Sequence, residues 1–130
     1  MSEPLRLVWT GRLVSVNQWT SATIGKNKSG RTIPIIYKTT KYKQFVSVIA
    51  ENLMIAHARA GNTINAGSFL SVDIEVHTYK DIDSGIKPTL DAIESSGIVA
   101  NDSQIHRLKV RKIPIKKNAI ETLTIEISPC

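Results

Sequence analysis

The 130 residues carry 17 lysines and arginines against 11 acids, a net charge of +6, with 42% hydrophobic and 22% charged residues. That length and mixture suit one compact domain and exclude a low-complexity or disordered chain. No apolar run reaches the ~18 residues of a membrane span, and Met1 to Thr10 lacks a signal-peptide layout. The single cysteine, Cys130, rules out an internal disulfide and a cysteine-built metal cage, so a cytoplasmic protein without membrane contact is expected.

The charge is unevenly spread. Residues 1–65 hold nine bases against Glu3 and Glu51, a net +7, whereas the remaining half nets −1. The first half therefore reads as a polyanion-binding surface, with a merely well-solvated face as the plain alternative.

In chain order, "LRLVWTGRLVSVN" is rich in β-branched and apolar residues and predicts a first strand ending near Asn17. "TIGKNKSGRTIPIIYK" predicts a hairpin or loop with a basic tip. From Thr40 to Ala60, the positions Tyr42, Phe45, Ile49, Leu53 and Ala56 recur at spacings of three and four, one face of a long helix capped by Thr39 or Thr40 and stopped at Gly61-Asn62. Its basic start, Lys38, Lys41 and Lys43, opposes the helix dipole, which favours a binding role for those lysines.

"SFLSVDIEVHTYK" alternates, with Val72, Ile74 and Val76 on one face and Asp73, Glu75 and His77 on the other, and predicts a strand with one buried side. A helix follows from about Gly85 to Ser96, with Pro88 in its first turn and Gly97 as its stop. After the turn-rich "VANDSQ", the strands "IHRLKVRKI" and "AIETLTIEI" close the chain. This order predicts an α+β fold, a single domain over residues 1–130 in which a mixed β-sheet packs against two helices.

The stretch "DIDSGIKPTLDAI" places Asp81 and Asp83 at the mouth of the second helix. If the backbone is still extended there, both carboxylates face one site from Cα atoms roughly 6.5 to 7 Å apart. Their repulsion is then about 3 kcal/mol at an effective dielectric near 20, or about two pKa units, and calls for water, a base or a cation. Hard oxygen donors without a matched histidine or thiol suit Mg²⁺, or Mn²⁺, rather than Zn²⁺. Lys87 lies about one turn beyond, and a tight return after the helix can bring Asp102 beside the pair. Three carboxylates and a lysine around a divalent ion can cleave phosphodiesters. Capping by Asp83, turn formation by Asp102 and an i,i+4 pair between Lys87 and Asp91 account for the same residues structurally.

The segment from Lys80 to Ile105, "KDIDSGIKPTLDAIESSGIVANDSQI", resembles the signature region of the RusA family of Holliday junction resolvases, with its Asp-x-Asp-Asn-x-x-Lys opening and its later acidic turn before a glutamine and a strand. "VSVNQWT" is similar to that family's N-terminal "PSxN" element and sets Asn17 among the DNA-binding candidates. The resemblance implies a magnesium-dependent homodimeric endonuclease of a bacterial or phage-infected cell that nicks four-way, branched double-stranded DNA in symmetric pairs. It implies metal binding at Asp81, Asp83 and Asp102 and a catalytic role for Lys87. Ser84 and Asn101 depart from the family pattern, at the positions of an asparagine and an aspartate.

Lys26, Lys28, Arg31, Lys38, Lys41 and Lys43, with Arg107, Lys109 and Arg111 alternating along one later strand, are the expected contacts to phosphates. For the strand stripe, a solvated edge that discourages aggregation serves equally well. Trp9 suits core packing, and Trp19 either packing or stacking on an unpaired base. Beside the resolvase reading stand a nucleic-acid-binding module that keeps the fold without hydrolysis and a binder of anionic protein or RNA.

Overall fold

A computed structural model of the chain describes residues 4–65 and 67–130, and of Asp102 it describes the backbone alone. The alternation of Leu70–Thr78 makes β4, which buries Leu70, Val72, Ile74 and Val76 on one face and turns Asp73, Glu75 and His77 to the other. β6 (Glu121–Pro129) lies antiparallel beside it, and β1 (Leu5–Gly11) lies antiparallel beside β6. β5 (Ile105–Pro114) runs parallel to β4 on its other side, which gives a four-stranded mixed sheet in the order β1-β6-β4-β5. A separate antiparallel hairpin joins β2 (Thr20–Lys26) to β3 (Thr32–Lys38).

α1 (Thr40–Arg59) buries the predicted face, Tyr42, Phe45, Ile49 and Leu53, and Thr39 caps it by accepting a hydrogen bond from the Tyr42 backbone N–H. α2 (Lys87–Ser95) carries Pro88 in its first turn and stops before Gly97, whose φ of 78° suits a residue without a β carbon. Both helices cover the Val72–Ile74–Val76 face of the sheet, where Trp9 meets Phe45 edge-on at 5.1 Å and Leu53, Ile93, Leu123, Ile125 and Ile127 are fully buried. Each such aliphatic side chain contributes about 1.5–3 kcal/mol by leaving water. The α+β class with two helices on a mixed sheet is therefore as the pattern predicts.

Because β4 and β5 are parallel, a crossover must join them, and residues 79–104 with α2 supply it. This connection carries the two aspartates and Lys87. The first strand is shorter than predicted: β1 ends at Gly11, Leu13 and Val14 are both buried, and residues 16–18 form a 3-10 turn. Two consecutive inward side chains are incompatible with a pleated strand, whose neighbours face opposite ways.

Candidate functional site

β4 ends at Thr78 because the chain next turns Lys80 into the protein. The Lys80 ammonium donates to the Leu13 carbonyl and lies 2.8 Å from the Glu121 carboxylate, while the Thr78 hydroxyl donates to the other Glu121 oxygen at 2.7 Å. The Lys80 backbone N–H donates to Thr78 Oγ1 at 3.0 Å. With side-chain exposures of 12% for Lys80 and 2% for Glu121, this is a buried ion pair. It ties the end of β4 to the start of β6 and to the loop after β1, and it fixes the residue before Asp81.

Asp81 keeps an extended backbone (φ −63°, ψ 149°), but Asp83 already lies in a 3-10 turn over Ile82–Gly85. The expectation of an extended segment through both aspartates is thus corrected. Turn hydrogen bonds, Ser84 N–H to the Asp81 carbonyl and Ile86 N–H to the Asp83 carbonyl, both 3.0 Å, replace strand pairing. Gly85 lets this turn fold back onto the sheet, since a β carbon there would stand 3.2 Å from that of Val76. Both carboxylate-bearing residues are exposed, whereas Ser84 is fully buried and its hydroxyl has no hydrogen-bond partner among the described residues.

A shallow cavity of about 500 Å³ brings Asp81 together with Ser84, Tyr79, Asn17 and Ser15. The fold thus places Asn17, from the loop after β1, beside the first aspartate. Lys87, on the exposed start of α2, donates to Asp91 Oδ1 at 3.0 Å. The other Asp91 oxygen accepts from the Tyr42 hydroxyl of α1 and lies 3.8 Å from the Lys38 ammonium, which sits 4.2 Å above the Tyr42 ring. Burial, then the hydrogen bond to Asp91 and its charge, push the Tyr42 hydroxyl well above the usual tyrosine range. A groove of about 880 Å³ between the helices is lined by Lys38, Tyr42, Lys43 and Asp91 among others. Sequence reasoning reached Asp91 only as an i,i+4 partner; its tie to α1 spans 49 positions.

The other candidates fall elsewhere. Asp102 opens a 3-10 turn that leads into β5, and β5 begins beside Leu70 at the start of β4, whereas Asp81 follows the end of β4. The expected convergence of the Asp102 carboxylate lies outside the described side chains. Lys26 ends β2, Lys28 and Arg31 form the exposed turn after it, and Lys41 is exposed in the first turn of α1. Arg107, Lys109 and Arg111 share the sheet face away from the helices, in register with Ser71, Asp73 and Glu75. Arg111 donates to Glu75, whose carboxyl is held below its usual value by hydrogen bonds from His77 and Arg111. That stripe is therefore part of a mixed-charge face rather than a purely basic one.

Trp19 donates to the Val14 carbonyl at 3.0 Å and tilts against Tyr42 at 5.7 Å, so it is engaged in packing. His57 Nε2 accepts from the Ile64 N–H, and His106 stacks on Phe69. No described helix is long and apolar enough to cross a membrane.

Among the described residues no group of three or more histidine, cysteine, aspartate or glutamate side chains is gathered for a metal ion. The exposed donor pair Asp81 and Asp83 is nevertheless of the hard-oxygen kind that fits Mg²⁺ or Mn²⁺. Comparison with family models and with curated proteins finds no match for this chain.

Proposed function

We propose that the protein is a Mg²⁺-dependent endonuclease acting on branched DNA, a homodimer of the RusA kind. One observation carries the reading: two exposed carboxylates on a single short turn lead directly into a helix whose Lys87 shares Asp91 with Lys38 of the basic first half. An acid pair thereby borders a surface suited to phosphate. The resemblance of residues 80–105 to the family signature supports the same assignment.

Asp81 and Asp83 would hold the divalent ion, which when bound supplies Lewis-acid polarisation of a phosphate and an activated water. Lys87 presents its ammonium toward a phosphate oxygen or the leaving oxygen, with Asp91 restricting where that ammonium can go. Asn17 stands beside Asp81 in the same cavity, able to donate an amide hydrogen bond to the strand or to the carboxylate. Lys38 and Lys43 stand with Glu51, Asp91 and Glu94 along the groove between the helices, where the two ammonium groups would meet the backbone. A homodimer matches the two-fold symmetry of a four-way junction, with one site for each of two opposed strands.

The second reading is a nucleic-acid binder without hydrolysis. It draws on the β4–β5 register, which starts the Asp102 turn beside the beginning of β4 rather than its end, and on Ser84 and Asn101 at the family's polar positions. Incubation with a synthetic four-way junction and a matched linear duplex, with and without Mg²⁺, separates the two. The enzyme reading expects metal-dependent cutting of the junction alone. Equal cutting of both substrates would remove junction specificity, and binding without cutting under Mg²⁺ or Mn²⁺ would leave the second reading.

A further inference from the structure

The β2–β3 hairpin has no buried residue and supplies none of the core. It is anchored at its base, where the Thr39 N–H donates to the Trp19 carbonyl at 2.9 Å and the Thr39 hydroxyl to the Gln18 carbonyl at 2.6 Å. Its tip is ordered by Asn27, whose side-chain oxygen accepts from the Ser29 and Arg31 backbone N–H groups, both at 3.0 Å. Two strands alone are marginal in water, so a hairpin that projects in this way should gain something on contact.

Cross-strand partners share a face, and here the pairs Ala22–Ile36 and Ile24–Pro34 build one wholly apolar face. Ile24 is 77% exposed and Ile36 74%, the exposures of residues that cover nothing. Lysines close this face at both ends: Lys26 is paired with Thr32 near the tip, and Lys38 with Thr20 at the base. Lys38 is also the residue 3.8 Å from Asp91, so the apolar face runs out directly from the Lys87 region. No acid occurs between Glu3 and Glu51 to repel a phosphate backbone.

Apolar strips of isoleucine and proline set between cations suit a nucleic acid whose bases are unstacked, because the aliphatic groups cover base faces while the lysines hold the flanking phosphates. We propose that the Ala22–Ile24–Pro34–Ile36 face is a wedge that seats against unstacked bases at the branch point of a nucleic-acid junction. The inference rests on the nucleic-acid reading above but not on hydrolysis.

The test uses the full-length protein without divalent ions and a four-way junction carrying 2-aminopurine beside the branch point. Wild-type binding should raise the fluorescence, as unstacking does, and a linear duplex should show no rise. The Ile24→Ser/Ile36→Ser double variant, its fold checked by circular dichroism, should lose that rise and bind the junction at least about tenfold more weakly, since even one lost aliphatic burial is on that scale. Its salt dependence should stay that of wild type, whereas Lys28→Ala should keep the rise and reduce the salt slope by about one.

Fluorescence that is flat on wild-type binding, or unchanged in the double variant, overturns the wedge. So does sedimentation showing that the double substitution converts a wild-type dimer to monomer, which would assign the face to a second copy of the chain. A protein that unstacks the junction but never cuts it leaves the wedge standing and removes only the endonuclease. One that cuts the junction with no fluorescence change does the reverse.

Discussion

Two carboxylate–ammonium clusters flank the segment from Lys80 to Asp91, and they differ in almost everything but chemistry. Lys80–Glu121 is buried, accepts a hydrogen bond from the Thr78 hydroxyl, donates one to the Leu13 carbonyl, and joins β4, β6 and the loop after β1. Asp91 with Lys87 and Lys38 is partly exposed, joins the two helices through Tyr42, and leaves its lysines in reach of solvent. The buried cluster holds the backbone that presents Asp81; the exposed one holds the side chains to which the proposed function assigns the ligand. Removing a partner from the first strands a charge away from water, whereas removing one from the second costs only a screened attraction.

The largest expected effect breaks the buried cluster. Glu121→Ala should cost about 3–5 kcal/mol in urea-induced unfolding, because the Lys80 ammonium loses its counter-charge. Replacing both partners, Lys80→Met with Glu121→Leu, should recover most of that loss. If the single variant were as stable as wild type, the pair would not be holding the end of β4.

In the exposed cluster the balance should reverse. Asp91→Asn should change stability by less than about 1 kcal/mol, while on the proposed function it should lower junction cleavage about tenfold or more by loosening Lys87. If Asp91 acts through Lys87, as the proposed function has it, the same substitution in a Lys87→Ala background should cost no further activity. Additive losses would show Asp91 to act independently of that lysine.

Tyr42→Phe keeps the ring against Trp19 and removes only the hydroxyl, a loss of about 1 kcal/mol. Its pH dependence sharpens the contrast. The hydroxyl pKa is raised in the folded state, so the stability it contributes is whole below the ordinary tyrosine value of about 10 and is lost as pH rises beyond it. Alkaline unfolding curves of Tyr42→Phe should be flatter than those of wild type above that pH.

The smallest effect belongs to the outer sheet face. Arg111→Ala should alter stability by no more than about 0.5 kcal/mol. The Glu75 carboxyl is depressed by its partners, so its contribution is present above the usual carboxylate pKa and fades as pH falls through the lowered folded value. Glu75→Gln should therefore lower stability slightly at neutral pH and converge with wild type as pH falls through the acid limb.

Much of this was legible in the chain itself. The three-and-four spacing of Tyr42, Phe45, Ile49 and Leu53 located α1 and its buried face, and the alternation of Val72, Ile74 and Val76 located β4. The same alternation carries a further signal. Glu121 shares parity with Leu123, Ile125 and Ile127, and Lys80 shares parity with Val76 and Thr78, so both charges lie on inward-facing positions.

Local pattern by itself determined the helices, most strand positions, the uneven charge and the acidic turn, because each depends on residues only a few positions apart. The tertiary structure decided which strands pair, and with that the parallel β4–β5 arrangement that makes α2 a crossover. It brought Asn17 to Asp81, joined Tyr42 to Asp91 and left the hairpin's isoleucines uncovered. Those relations link positions far apart in the chain, where spacing and periodicity carry no distance information, and only packing around the shared core selects them.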